Sequence, residues 1–167
     1  AIDDIKGAID HIVSLEPSKT IFTLFTTPPT PEYAYRAWKD YYRKWNSMTA
    51  SKCATSSHVL IDEFEHYCPP ARRFLKQTYS PWVSGELHQI LVKEGVEDLI
   101  ITGVETDVCV LGTVLGAVDL GYRVVLIEDG ICSSSKVAHQ SILKLFCNRF
   151  SAQVTVCSTE DLLRALA

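Results

Sequence analysis

Glu97-Asp98-Leu99-Ile100-Ile101-Thr102-Gly103-Val104-Glu105-Thr106-Asp107-Val108-Cys109-Val110 is the stretch from which the chain is best read. Leu99–Thr102 is a short apolar run rich in β-branched residues, the pattern of a buried parallel strand. Gly103 ends it, and Thr106 and Asp107 are good helix-opening residues. Val108–Leu120 then carries apolar residues at helical spacing, Gly121 closes that helix, and Tyr122–Ile127 reads as a second buried strand. The unit is a strand–helix–strand crossover, with Cys109 expected in the first turn of its helix.

That placement has a chemical consequence. The first N–H groups of a helix lack internal partners and its N-terminus carries partial positive charge. Both favour a thiolate at such a position, and the same N–H groups can hold a developing oxyanion. The C-terminal edge of a parallel sheet is also where ligands usually bind. The competing reading is that Cys109 is simply a small buried apolar residue, and position alone does not separate the two.

Outside this stretch the same alternation continues. Asp3–Ser14 reads as an amphipathic helix, with Ile5, Ala8, Ile9, Ile12 and Val13 on one face. Thr20–Phe25 reads as a strand, and Thr26–Pro31, with three prolines, as the loop at its end. Glu32–Trp45 has the spacing of an aromatic helix, Asn46–Ser57 is polar and irregular, and Val59–Tyr67 is a short helix stopped by Pro69 and Pro70. Arg72–Leu75 is a short strand delivering Lys76 to its end. Ser84–Glu94 is a helix capped by Ser84. After the crossover come a helix over Lys136–Phe146, a strand over Gln153–Val156 and a terminal helix over Thr159–Leu166. Helices alternating with short parallel-type strands predict an α/β fold, a parallel sheet with helices on both faces.

The chain has 167 residues, a length suited to one domain with a sizeable core. The net charge of −4 and the lack of a basic stripe argue against a nucleic-acid partner. No apolar run approaches membrane-spanning length. The six cysteines are scattered, with no close-spaced pair. Cys53, Cys68, Cys132, Cys147 and Cys157 are therefore read as reduced thiols of a cytoplasmic protein. No Cys-x-x-Cys pair or His-Glu-x-x-His motif marks a zinc site.

Gly103-Val104-Glu105-Thr106-Asp107-Val108-Cys109-Val110, with Thr113, Ala117 and Gly121-Tyr122-Arg123-Val124, resembles the signature of the isochorismatase-like cysteine hydrolases. The likeness continues through Asp129–Ser135 and His139. Upstream, Lys76-Gln77-Thr78-Tyr79-Ser80-Pro81 is similar to the segment that supplies the family's catalytic lysine. The resemblance implies Cys109 as nucleophile and Lys76 as the cation that favours its thiolate. It also implies an oxyanion hole from the backbone N–H groups of Glu105 and Cys109, and a cis peptide bond at Val104–Glu105. The Glu105 side chain is expected to point towards solvent or a partner. Asp107 and Thr106 are expected to accept hydrogen bonds around the helix start, Asp129 to anchor a loop, and Ser133–Ser135 to cap the next helix. A Cys109–His139 pair is the alternative, one the family does not use.

The family's sheet has six strands, and five are found here. The first strand, which carries the catalytic aspartate, has no counterpart, because Asp3, Asp4 and Asp10 lie in the opening helix. The expectation is that this sequence starts after the true N-terminus of a single hydrolase domain. A related subset, the nicotinamidases, holds a divalent metal through an aspartate and histidines after the second strand. Phe25–Pro31 has neither residue type, so no metal and no other cofactor is expected, and a nicotinamidase is disfavoured. The implied activity is hydrolysis of a C–N bond in a small amide, ureide or carbamoyl compound through a covalent thioester. The alternative is a non-catalytic member that binds a ligand or partner. Relatives and the aromatic helix together suggest a homo-oligomer. A nucleotide-binding module ranks last, since Gly103–Asp107 offers one glycine and two acids where phosphate needs a glycine-rich loop.

Overall fold

The computed structural model describes residues 2–52 and 59–167. In chain order its elements are α1 (Ile2–Leu15), β1 (Ile21–Phe25), α2 (Trp38–Lys44), α3 (Asp62–Glu65), β2 (Arg72–Lys76) and α4 (Glu86–Lys93). They continue with β3 (Asp98–Val104), α5 (Leu111–Asp119), β4 (Arg123–Cys132), α6 (Lys136–Arg149), β5 (Val154–Cys157) and α7 (Thr159–Leu166). The chain forms two compact units, one of Ala1–Pro17 with Tyr79–Ala167, the other of Ser18–Thr78. Cys53, expected as a reduced thiol, lies outside the described residues.

In the larger unit β3, β4 and β5 form a parallel sheet in that order. Two crossovers build it, through α5 and through α6. Ile5, Ile9 and Val13 recur at the four-residue spacing of one helical face and are the buried residues of α1. That helix packs on β3 and β4 and touches α7. Val114, Ala117, Leu126, Ile127 and Phe146 have no exposed surface and form the centre of this unit's core.

β4 is longer than its sequence suggested. The expected strand stopped at Ile127, but pairing resumes at Ile131 and Cys132, which face Gly103 and Val104. The register shifts between Ile101 and Gly103, and the residues between Ile127 and Ile131 form the bulge that absorbs it. Such bulges recur beside functional sites. Gly130 permits the close approach there: a Cβ on it would stand 3.0 Å from Cγ2 of Thr102 and 3.1 Å from Cγ2 of Ile127.

In the smaller unit β1 and β2 pair in parallel, from Ile21 opposite Arg72 to Phe25 opposite Lys76. Thr26 extends this pairing, its N–H donating to the Lys76 carbonyl at 2.7 Å. The aromatic helix expected over Glu32–Trp45 is not continuous. A 3-10 turn at Pro31–Tyr33 is followed by extended Ala34 and by Arg36 with φ of 48°, and only then does α2 begin. A non-glycine residue at positive φ breaks a helix whatever the apolar spacing. Trp38, Tyr41 and Tyr42 pack edge-on or tilted against one another, whereas Tyr33 and Tyr35 are 77% and 68% exposed. The helix expected over Val59–Tyr67 is reduced to the single turn of α3.

Candidate active site

β3 runs out through Gly103, at φ of 114°, a conformation glycine tolerates without penalty. The next peptide bond, Val104–Glu105, is cis. Thr106–Val110 then makes a π-helical turn before α5 starts at Leu111. Cys109 therefore lies in this wider turn, not in the first α-helical turn expected from Thr106 and Asp107. The N–H groups of Val108 and Val110 both donate to the Glu105 carbonyl at 3.1 Å. The second of these is the i to i+5 bond that defines the π turn. Cys109 is half-buried, and its carbonyl accepts the Thr113 hydroxyl at 2.7 Å. Val104, Glu105 and Cys109 are thus brought together on one short segment at the C-terminal end of β3.

The three residues between Val104 and Val108 are each tied down from the start of α6. Glu105 Oε2 accepts the Ser134 hydroxyl at 3.1 Å. Thr106, fully buried, has its hydroxyl 2.9 Å from Nδ1 of His139. Asp107 Oδ1 accepts the Ser133 hydroxyl. Both side chains make hydrogen bonds around the start of the turn, Asp107 as an acceptor, and their partners are His139 and Ser133. Ser135 does cap α6, accepting from the Ala138 N–H at 3.2 Å. Asp129, in the β4 bulge, anchors the start of α7, its Oδ1 accepting the Thr159 N–H at 2.8 Å and the Thr159 hydroxyl at 3.0 Å. The Thr106–His139 link went unforeseen. The only signal for it was the pairing of a small hydroxyl residue with a histidine 33 positions on, which sequence spacing does not reveal.

Lys76 ends β2 in the smaller unit. It is 7% exposed, and its Nζ donates to the Thr78 carbonyl at 3.2 Å and sits 5.6 Å above the Phe25 ring. A solvated surface lysine does not have this environment, since an ammonium group is rarely buried unless it is paired.

The segment Phe25–Pro31 supplies hydroxyls and no carboxylate or imidazole. Thr26 Oγ1 donates to the Lys76 carbonyl at 3.1 Å and Thr30 Oγ1 to Glu32 Oε2 at 2.8 Å. That donor set does not fit a divalent metal. Among the described residues no group of three or more His, Cys, Asp or Glu side chains is placed to hold one. Among the described residues, too, no helix is long and apolar enough to cross a membrane.

The isochorismatase-domain family model matches residues 1–161. The chain is 32% identical over 95 residues to an uncharacterized isochorismatase family protein of Bacillus subtilis (strain 168), covering 57% of this chain and 51% of that protein. It is 26% identical over 169 residues to a nicotinamidase of Schizosaccharomyces pombe, covering 95% of this chain and 70% of that protein. The chain thus spans about half the length of the first of these curated relatives. Among solved structures, a cysteine hydrolase from Pseudomonas syringae pv. phaseolicola superposes with a TM-score of 0.80 at 17% identity, over 98% of this chain and 80% of that one. N-carbamoylsarcosine amidase from Thermoplasma acidophilum superposes with a TM-score of 0.73 at 19% identity, over 95% of this chain and 84% of that one. At these identities the two structures show the fold alone.

Proposed function

The chain belongs to the isochorismatase family, and from that premise we propose that it is a cysteine hydrolase acting on the C–N bond of a small amide, ureide or carbamoyl compound. The observation that carries this reading is the seat of Cys109, half-buried in a π turn at the C-terminal end of a parallel strand. The names of two relatives, a nicotinamidase and an N-carbamoylsarcosine amidase, point to the same class of bond. The Phe25–Pro31 segment, without His or Asp, weighs against the metal-assisted version of that chemistry.

In the proposed reaction the Cys109 thiolate attacks the substrate carbonyl carbon. The oxyanion that forms is held by the backbone N–H groups of Glu105 and Cys109. The C–N bond breaks, the leaving amine takes a proton, and the acyl group remains on sulfur as a thioester. Water then cleaves the S–C bond, releasing the acid and restoring the thiol. Lys76 is assigned the part of the cation that favours the thiolate, on the family resemblance alone. Asp3, Asp4 and Asp10 all lie on α1, so none is assigned the proton-transfer role of the family's aspartate.

The protein is further proposed to be a cytoplasmic homo-oligomer spanning one hydrolase domain. The five described cysteines are free thiols, and Tyr33, Tyr35 and Trp45 present large aromatic surface to solvent. Light scattering at micromolar concentration tests the oligomer, and a monomer rejects it.

The central experiment is acyl trapping. The protein is mixed with N-carbamoylsarcosine, a carbamoyl compound, and quenched in acid, and its peptides are mapped by mass spectrometry. An acyl adduct on Cys109, with turnover lowered at least about 10³-fold in Cys109→Ala, is the expected result. Turnover that survives Cys109→Ala overturns the assignment.

A further inference from the structure

We propose that His139 is a positioning residue for Cys109, acting through the hydroxyl of Thr106. This rests on the reading of Cys109 as the nucleophile, and the experiment below separates the two.

The π turn is held in shape both by its own backbone and by side-chain bonds to 133–139. Its backbone closes on the Glu105 carbonyl, which takes the N–H groups of Val108 and Val110, and on the Thr106 and Val108 carbonyls, which take the Leu111 N–H. π turns are rare and occur mostly at functional sites, and the side chains of this one are also held from outside. The support comes from 133–139, and its three contacts are unequal. The Glu105–Ser134 bond is exposed and the Asp107–Ser133 bond is part-buried. Water can replace an exposed bond at little cost. The Thr106 side chain alone has no access to solvent, so its hydroxyl depends on Nδ1 of His139, 2.9 Å away. Losing that partner leaves a buried polar group unsatisfied.

His139 is itself held in place. Its N–H donates to the Ser135 carbonyl at 2.9 Å, and the Ser135 side chain caps the same helix. α6 is a 14-residue helix anchored in the core near its C-terminal end by the fully buried Phe146, and its first turn is fixed by the Ser135 cap. The chain of support therefore runs from the core through α6 to His139, from His139 to Thr106, and from Thr106 three residues on to Cys109. If the backbone N–H groups around Cys109 are to face a thiolate or an oxyanion, this bond fixes the direction in which they point. His139 needs no contact with substrate in this role, nor does it act as a base for the thiol.

The test uses the whole chain and reads the iodoacetamide reaction of Cys109 by peptide mapping, with exposed Cys147 as internal reference. Thr106→Val removes the hydroxyl at nearly constant volume. His139→Ala removes its partner, and His139→Asn returns an amide at the position of Nδ1. Each single loss is expected to slow Cys109 relative to Cys147 by about three- to tenfold, the size of one net hydrogen bond. The double variant is expected to be no slower than the slower single variant, since both remove the same bond. His139→Asn is expected to recover most of the rate, which a general loosening of α6 would not allow. A variant that fails to fold reveals itself by labelling at Cys157 and Cys132 as well, and the Asn rescue then decides. Unchanged Cys109 reactivity in both folded single variants, faster labelling, or full additivity in the double variant overturns the proposal. The nucleophile reading fails separately, if wild-type Cys109 forms no acyl adduct while its labelling still responds to His139.

Discussion

Trp82 lies so close to Gly116 of α5 that a Cβ added to the glycine would stand 2.3 Å from the Trp82 Cδ1 atom. The indole is fixed there by two further contacts. Its Nε1 donates to the Thr113 carbonyl at 2.8 Å, and its ring stacks on Tyr122 with centroids 5.6 Å apart. Tyr122 in turn bonds His88 Nδ1 at 2.8 Å.

Gly116→Ala therefore forces the indole to move and breaks at least one of these contacts. Overpacking of this kind costs about 1–3 kcal/mol. Urea denaturation is expected to show a lower midpoint at unchanged slope, and Gly116→Ala combined with Trp82→Leu is expected to regain part of the loss. A variant as stable as wild type shows that the indole has somewhere else to go.

Asp129 is expected to matter for stability more than for catalysis. Its carboxylate receives two hydrogen bonds from Thr159, the first residue of α7, where negative charge also suits the helix dipole. Asp129→Ala leaves the Thr159 N–H and hydroxyl without their acceptor, at a cost of about 1–3 kcal/mol. Asp129→Asn keeps an acceptor and loses less. Thermal unfolding followed by circular dichroism checks the order. A large loss of turnover with no change in stability would instead place Asp129 in the chemistry.

The ends of the structure were the most legible parts of the sequence. The amphipathic spacing of Ile5, Ile9 and Val13 gave α1 to within a residue at each end, and α7 begins and ends where Ser158, Thr159 and Leu166 indicated. β3 and α5 were found because an apolar β-branched run and a helical one meet at Gly103. Other features lay beyond sequence patterns because tertiary structure decides them. Asp129 was expected in a loop beyond a strand ending at Ile127, and only the register of β3 against β4 makes Glu128-Asp129-Gly130 a bulge within one strand. The aromatic spacing of Glu32–Trp45 suits a helix, but the backbone at Ala34 and Arg36 leaves helical space. Thr106 and Asp107 are common helix-opening residues, and the partners their side chains take, His139 and Ser133, lie 33 and 26 positions on, beyond the reach of local patterns. The place of Cys109 just beyond the end of β3 was legible; the π form of its turn and the bonds of that turn to Ser133, Ser134 and His139 were not, because those residues meet it only through the fold.

Asp98 and Arg123 stand opposite each other as the first register pair of β3 and β4. Arg123 Nη2 donates to Asp98 Oδ2 at 2.7 Å and Nε to Oδ1, a fork-like pair. The hydrogen bond from Arg123 holds the Asp98 carboxyl below its ordinary value of 3.8. A depressed carboxyl stabilises the fold above its unfolded pKa and loses that contribution as pH falls through the folded value. Wild type is thus expected to exceed Asp98→Asn slightly at pH 7, the pair being exposed. The difference should shrink from about pH 5 towards about pH 2. Chemical denaturation at several pH values measures it, and a difference that grows on acidification contradicts the assignment.

The order of cysteine reactivity is the last expectation, and it concerns both the site and the core. Burial raises the thiol pKa of Cys132 at the end of β4, with nearby Glu105 and Asp4 adding to the shift. Burial raises that of Cys157 at the end of β5 as well, with Asp161, Asp129 and Glu128 adding to it. Only the thiolate reacts with iodoacetamide, so both stay slow near neutral pH. Their labelling is expected to climb as pH rises from about 7.5 to about 9, approaching tenfold per unit while the thiol form dominates. Cys147, exposed on α6, should precede both at the lower pH, and Cys109 should precede Cys147 if it is the nucleophile proposed above. Brief labelling at low reagent concentration, followed by peptide mass mapping across that pH range, tests each rank separately. Cys132 or Cys157 reacting ahead of Cys147 near neutrality would contradict the burial argument at the sheet edge. Cys109 trailing Cys147 would remove the reactivity on which its assignment as nucleophile depends, whatever the order of the others.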